Sequence, residues 1–296
     1  MIKQLTTIIL FFAISVAHAV EIVKIQTPYN AAHSGTPAML RLLEQANANQ
    51  NIYRFILEFK PGGNQTIALR TMDTERDLAV IAPAFVENVD SGQLNEYDYI
   101  PLHALGDACW AVITNKPFKG STEFVVGGVG FGNAAHLTAL GFGEKHKFNV
   151  RYIVFKSNGD ALVNMAGNNG VEFVIDKYEV YESLKTKNPA LQMVAASCPT
   201  RLPQEPKIPT VKEQGISAPY IFNITVAHRN MPKARQHAIA SILHQAAQDL
   251  GEKEIFQLSA MRPPQFDNRN VEDFYRDSVN LIRTLQRRYK NNIETK

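Results

Sequence analysis

A glycine-rich stretch, GGVGFGNAAHL at residues 127–137, constrains the fold of this chain more than any other segment. Residues 121–126 before it are rich in β-branched and aromatic types, which predicts a strand. Residues 134–147 after it carry spaced apolar side chains and no proline, which predicts a helix. A strand, a glycine turn and a helix start bring backbone N–H groups without helical partners to one point, where the helix dipole is positive. The stretch therefore predicts either an anion site or a tight structural turn.

The spacing of these glycines excludes the common nucleotide-binding motifs. Gly128, Gly130 and Gly132 recur at every second residue, whereas the dinucleotide fingerprint places its third glycine three residues after its second. No Gly-Lys-Ser/Thr follows, so a P-loop is excluded as well. Asn133 is the predicted N-cap of the helix. His136 lies in the first turn, where both a supporting role and a direct ligand contact fit the pattern.

The N-terminus predicts export. Lys3 supplies a positive charge, residues 5–16 are apolar, and Ala17-His18-Ala19 has the small-x-small pattern of a cleavage site, so residues 1–19 are a predicted signal peptide. The mature chain then starts at Val20 and is expected in the periplasm. No later stretch approaches the ~20 apolar residues of a membrane span. A formal net charge of +3 is too balanced to indicate nucleic acid as a partner.

The two cysteines leave two interpretations open. Cys109 and Cys198 fit a disulfide in an exported protein, but each lies in an apolar run, and we favour two buried thiols. No Cys/His spacing predicts a metal site, and no cofactor is expected. The chain also lacks the Gly-x-Ser-x-Gly elbow of hydrolases, and no spacing connects Ser34, His136 and Asp176 into a triad. We therefore expect a protein that is not an enzyme.

Strands and helices alternate along the chain. Residues 21–27 form a predicted strand, the loop 28–35 follows, and Thr36-Pro37 predicts a helix start. This is a second strand–loop–helix start with free N–H groups. The alternation with short connections predicts an α/β fold with largely parallel strands. In such sheets, ligands bind beyond the carboxyl ends of the strands. After removal of the leader, 277 residues (296 minus 19) favour two lobes.

Several segments, in the right order, resemble the solute-binding receptors of tripartite tricarboxylate transporters, the TctC or Bug family. The likeness covers most of the mature chain. The segments are Pro28-Tyr29 with Arg41-Leu42-Leu43, EFKPGGN at 58–64, the glycine loop with His136-Leu137, residues 150–176, residues 201–215 with their proline-rich pattern, and residues 226–233. The family pattern is not followed everywhere, since Pro37 stands near the position of an aspartate and Phe155 at that of a tyrosine. An amino-acid ligand is therefore less expected.

The resemblance implies a type II periplasmic-binding-protein fold, with two α/β lobes joined by two crossovers around a cleft. We place lobe one at 20–118 plus 226–296 and lobe two at 119–225. It further implies capture of a small organic anion, commonly a carboxylate, and its delivery to membrane permease subunits made by other chains. We expect the protein to be a monomer. A soluble sensor that uses the same cleft to signal to a membrane receptor is the alternative. The expected ligand-binding residues are Tyr29, His33, Ser34, Gly35, Thr36, Ala82, Pro83, Gly130, Phe131, Gly132, Asn133, His136, Phe155 and Asp176.

Overall fold

The structure, a computed structural model, describes residues 20–31, 33, 35–116, 123–156, 158–198, 200–219, 221–259, 261–262 and 270–294. The predicted signal peptide at 1–19 and the candidate Ser34 lie outside the described residues. Among the helices of the described ranges, none has the length and apolar character needed to cross a membrane.

The described residues form a mixed α/β architecture. The strands are β1 (Glu21–Thr27), β2 (Tyr53–Phe59), β3 (Leu78–Ile81), β4 (Tyr99–Ala108), β5 (Trp110–Thr114), β6 (Glu123–Gly128), β7 (Asn149–Val154), β8 (Phe173–Lys177), β9 (Gln192–Ala196), β10 (Ile221–His228) and β11 (Met261–Arg262). The helices are α1 (Thr36–Asn49), α2 (Thr66–Thr71), α3 (Ala84–Asp90), α4 (Ala134–His146), α5 (Asn158–Ala166), α6 (Tyr178–Lys185), α7 (Lys233–Ser259), α8 (Val271–Arg288) and α9 (Lys290–Glu294).

The first sheet has the strand order β11-β4-β10-β3-β1-β2 in the described part of the chain. β1 lies parallel to both β2 and β3, as the α/β prediction requires. β10 and β11 run antiparallel to their neighbours, so the sheet is mixed rather than largely parallel. The difference arises because β4 leaves towards the second sheet and β10 returns from it alongside, in the opposite direction.

The second sheet has the order β7-β6-β8-β5-β9. β6 is parallel to β7 and β8, while β5 is antiparallel to β8 and β9. The chain crosses between the sheets at Cys109, the single residue between β4 and β5. β5 therefore pairs in the second sheet although it falls before the predicted boundary at 118, and β10 pairs in the first sheet from Ile221, before the boundary at 226. The pattern of a strand does not encode which sheet it joins. The residue boundaries of the two lobes stay a prediction.

Apolar helix faces cover both sides of the first sheet. α1 and α7 pack on one side, for example through Leu43 and Leu243, and α8 packs on the other through Phe274 and Ile282. Burying each such side chain stabilises the fold by about 1.5–3 kcal/mol. Leu137 of α4, beside the second sheet, belongs to the same apolar cluster as α8. The two sheets are thus connected through helix packing as well as through the chain crossings.

The two cysteines are joined. Cys109 and Cys198 form a disulfide with 4.7 Å between their Cα atoms, so the preferred interpretation as free thiols is wrong. Both residues are buried among apolar neighbours, which is the feature that suggested thiols. Burial does not separate the two states, because a disulfide in a core has the same apolar surroundings.

Candidate functional site

Two sheet edges meet at one point. β1 and β3 are parallel, so the segments that follow them leave the same edge of the first sheet. β6, β7 and β8 are parallel as well, and the segments after them share an edge of the second sheet. Lys177, at the end of β8, places its Nζ 2.7 Å from Nε2 of His33 in the loop after β1. The carboxyl edges of the two sheets therefore face each other, in the position where α/β proteins bind ligands.

The first loop holds the His33 ring firmly. Tyr29 stacks on it with 3.6 Å between ring centroids and 7° between planes. The Tyr29 hydroxyl donates to Oδ1 of Asn223 on β10 at 2.5 Å, and Asn223 is buried. Burial raises the pKa of Tyr29 above its usual value, so its hydroxyl stays a donor. Asn223, which the sequence did not single out, thus anchors the loop to the sheet behind it.

Gly35 and Thr36, the predicted backbone donors of this loop that the structure describes, already have partners. The Gly35 N–H donates to Nδ1 of His33 at 3.1 Å, and the Thr36 N–H donates to the His33 carbonyl at 2.9 Å. The Thr36 hydroxyl donates to the carbonyl of Asn30 at 3.2 Å. Space at Gly35 is tight, since an added Cβ would lie 3.0 Å from Cε of Met261, and that side chain would have to shift. α1 begins at Thr36 with Gly35 as its N-cap, at the helix start that Thr36-Pro37 predicts.

The second loop contains the predicted cap. Oδ1 of Asn133 accepts from the His136 N–H at 2.9 Å, which confirms Asn133 as the N-cap of α4. The Gly132 N–H donates to Nδ1 of His136 at 2.9 Å, and His136 is only 2% exposed. His136 therefore supports the loop from inside. Gly132 has φ 75°, in the left-handed region that favours glycine.

Aromatic rings lie behind the second loop. The rings of His136 and Tyr152 are 4.4 Å apart, and the Phe131 ring lies 5.3 Å from His136. A Cβ added at Gly128 would lie 2.0 Å from Oη of Tyr152, so glycine is required for this close approach. Tyr152 was missed from the sequence, where it is one residue in an alternating strand.

The second loop also borders an open cavity of about 650 Å³ on the side of α8 and α9. Phe131 and Gly132 form one wall, and the Gln286 amide donates to the Gly132 carbonyl at 3.4 Å. The other lining residues are Glu87, Asp90, Arg283, Arg287, Lys290 and Ile293. This wall is thus shared between the glycine loop and the C-terminal helices.

Three further predicted ligand-binding residues have no backbone N–H group left to donate to a ligand. The Ala82 N–H donates to Oε1 of Gln65 at 3.0 Å in a buried bond, and Pro83 is the N-cap of α3. The Phe155 N–H donates to the Gly128 carbonyl at 2.8 Å. A Cβ added at Gly127 would lie 3.2 Å from the Phe155 ring, which therefore packs on the end of β6.

The end of β8 carries the charged groups of the site. Asp176 is 6% exposed, and its Oδ1 accepts from the Lys177 N–H at 2.8 Å. Burial raises the pKa of Asp176, an effect that this bond and one from Asn158 oppose. Burial lowers the pKa of Lys177, against the attraction of Glu179 and Asp176. Burial also lowers the pKa of His33 to about 3, and the charge of Lys177 acts in the same direction. His33 is therefore neutral at physiological pH.

Lys177 is the functional candidate that the sequence did not reveal. A lysine directly after a strand is normally a solvated residue. The only available signal was its place next to Asp176 at a predicted strand end. Within the described residues, no group of three or more His, Cys, Asp or Glu side chains is arranged to hold a metal ion.

Solved structures share this architecture. No protein-family model matches the sequence, and no curated protein matches it. A TctC solute-binding protein from Polaromonas is 16% identical with a TM-score of 0.68, over 89% of this chain and 98% of that one. MatC from Rhodopseudomonas palustris with bound malate is 15% identical, with a TM-score of 0.65 over 93% and 99% of the two chains. Another R. palustris protein, with adipate, is 16% identical, with a TM-score of 0.65 over 90% and 97%. These likenesses confirm the two-lobe binding-protein fold that the resemblance implied.

Proposed function

We propose that this chain is a periplasmic solute-binding protein that captures a small organic carboxylate between its two sheet edges and delivers it to a tripartite tricarboxylate-type permease. The observation that carries the proposal is that the loop after β1 faces the end of β8, at the contact between His33 and Lys177. A lysine ammonium with a loop histidine beside it supplies N–H donors and positive charge, which a carboxylate requires.

Two further observations support the substrate class. The N-termini of α1 and α4 both start from these edges, and helix N-termini favour anions. Structures with the same fold contain malate in one protein and adipate in another. Export rests on the predicted signal peptide, and the permease rests on the resemblance to the receptor family.

A thermal-shift screen of residues 20–296 tests the proposal. The panel contains malate, adipate, citrate, aromatic acids, amino acids and neutral sugars. A ligand at 100 times its dissociation constant adds about 2.7 kcal/mol to the stability, which raises the melting temperature by several degrees. We expect shifts with carboxylates. Shifts with sugars or amino acids only would refute the substrate class while keeping the fold.

A loop variant tests the location of the site. Gly132→Val places a β-branched residue at φ 75°, which forces the backbone of the second loop to change. Space for the side chain is ordinary, because the added Cβ lies 3.6 Å from Ile293. We expect binding to be lost while the far-ultraviolet circular dichroism stays that of the wild type. Full affinity in this variant would place the ligand elsewhere.

A further inference from the structure

The contact between Lys177 and His33 brings two hydrogen-bond donors together when Lys177 is protonated. Nδ1 of His33 accepts the Gly35 N–H at 3.1 Å, so this ring nitrogen carries the lone pair. The proton of the neutral ring then sits on Nε2, which lies 2.7 Å from Nζ of Lys177. A protonated lysine has three donors and no acceptor. With Lys177 charged, two donors would therefore face each other across the two sheet edges.

The other proton arrangements of His33 do not remove the conflict. A proton on Nδ1 frees Nε2 to accept from Lys177, but Nδ1–H then opposes the Gly35 N–H. A doubly protonated ring places donors on both sides, and burial holds the pKa of His33 at about 3. With a neutral Lys177 both hydrogen bonds of the His33 ring can form: Nδ1 accepts from the Gly35 N–H, and Nε2–H donates to the lone pair of Lys177 Nζ. Burial lowers the pKa of Lys177, which favours the neutral amine.

We propose that one carboxylate oxygen of the ligand inserts between Nε2 of His33 and Nζ of Lys177, and that Lys177 takes up one proton from solvent in the same event. The amine becomes an ammonium, His33 keeps its Nε2 proton, and the carboxylate remains an anion that accepts from both nitrogens. No covalent bond changes. The inference rests on the proposed function, and adds to it a subsite built from side chains of both sheet edges.

The surroundings fit such an insertion. The Tyr29 stack and the Gly35 N–H fix the plane and tautomer of the His33 ring. Lys177 has a long flexible side chain, so its ammonium withdraws when an oxygen enters. Two N–H···O bonds of ordinary length need the nitrogens about 4–5 Å apart rather than in direct contact. Only the ammonium end of the pair has to move.

The test is calorimetry with malate, adipate and citrate in two buffers of different ionisation enthalpy, at about pH 8.5. For the wild type we expect uptake of up to one proton per bound acid. For Lys177→Met we expect affinity at least ten-fold lower and no linked proton. Lys156→Met is the matched control, since it removes the same charge from an exposed residue after β7, at the same sheet edge. It keeps the proton uptake, and its affinity stays within about three-fold.

The outcomes separate the two proposals. If none of the three acids binds the wild type, the proposed function fails, and this inference falls with it. If an acid binds but without proton uptake, or equally well to Lys177→Met, only the insertion between His33 and Lys177 is overturned.

A measurement without ligand tests the premise. ¹⁵N NMR of the histidine rings, with His33 assigned from the spectrum of His33→Gln, identifies which ring nitrogen carries the proton. We expect the Nε2–H tautomer at neutral pH. An Nδ1–H tautomer, or a protonated His33 ring, would overturn the inference whatever the ligand.

Discussion

Gly128→Ala is the sharpest test of how the second loop is supported. An added Cβ would lie 2.0 Å from Oη and 2.8 Å from Cζ of Tyr152. Ordinary contact begins at 3.4 Å, so the hydroxyl must retreat by about 1.4 Å (3.4 minus 2.0). Tyr152 is 3% exposed and packs on His136, which in turn accepts the Gly132 N–H. The displacement is therefore transmitted to the glycine loop.

The cost follows from the packing. Forcing an extra methyl group into a filled core costs about 1–3 kcal/mol. For a chain of this length, one kcal/mol corresponds to about 2–4 °C in melting temperature. We expect Gly128→Ala to melt about 2–12 °C lower than the wild type. Carboxylate affinity is expected to fall with it, because the ring behind the loop has moved.

Differential scanning calorimetry and urea unfolding of a double-mutant cycle check this expectation. Tyr152→Phe removes Oη but leaves Cζ 2.8 Å from the new methyl, so the double variant recovers only part of the loss. We expect a coupling energy above about 0.5 kcal/mol. Gly170→Ala is the matched control: nothing lies within 4 Å of its added Cβ, and it precedes β8 at the opposite sheet edge. It costs backbone strain only, and neither affects binding nor couples to Tyr152→Phe. Wild-type stability of Gly128→Ala, or additive behaviour in the cycle, would refute the reasoning.

Three further predictions concern stability. Asn133→Ala removes the cap of α4 and lowers the free energy of unfolding in urea by about 0.5–2 kcal/mol, whereas Asn133→Asp retains most of it. Reduction of the Cys109–Cys198 disulfide, which spans 89 residues, lowers the free energy of unfolding by about 2–5 kcal/mol in calorimetry. An unchanged unfolding transition after reduction would contradict a stabilising role of this disulfide. Burial, and then the charge of His244, lowers the pKa of His103 to about 3 from 6.5 in the unfolded chain. The unfolded state thus binds more protons below pH 6.5, and stability falls as pH drops. Between pH 7 and pH 5, His103 lowers the free energy of unfolding by about 2 kcal/mol. His103→Gln should reduce the total loss of stability over this range by that amount.

The fold was largely predictable because it depends on local patterns. Alternating strands, capped helices and short connections identified β1, β6 and α4, and the resemblance supplied the two-lobe arrangement. The assignment of β5 to the second sheet was not predictable, because its apolar residues would fit either sheet. The disulfide was missed for a similar reason, since sequence gives the burial of Cys109 but not its distance from Cys198.

The candidate site was predictable in position but not in chemistry. The sequence correctly predicted a loop between strand and helix after β1 and after β6, since strand ends and helix starts are local features. That these loops bind the ligand stays a prediction. The sequence assigned the anion to groups of these two loops, the backbone N–H groups of Gly35 and Gly132 among them, and gave Ala82 a place in the backbone lining of the cleft. In the structure the N–H groups of these three residues donate to His33, His136 and a glutamine side chain. Which side chain folds back on a loop depends on tertiary contacts, which the sequence does not specify. Lys177 was not predicted because its partner, His33, lies in a loop of the other sheet.

Recognition by Lys177 instead of backbone N–H groups changes the expected pH dependence of binding. A site made of backbone N–H groups loses affinity only where the carboxylate is protonated, below about pH 4–5, and is flat above that. A site that needs Lys177 to gain a proton also loses affinity on the alkaline side. Among the described residues, the titratable groups near Lys177 include Asp176 and Glu179 beside it and His33 and Tyr29 from the loop after β1, and His33 is neutral throughout this range. The dissociation constant should therefore rise, by at most about ten-fold per pH unit, once the pH exceeds the lowered pKa of Lys177. Titrations between about pH 6 and pH 10 decide the matter, because flat affinity over that range assigns recognition to the backbone and removes Lys177 from it.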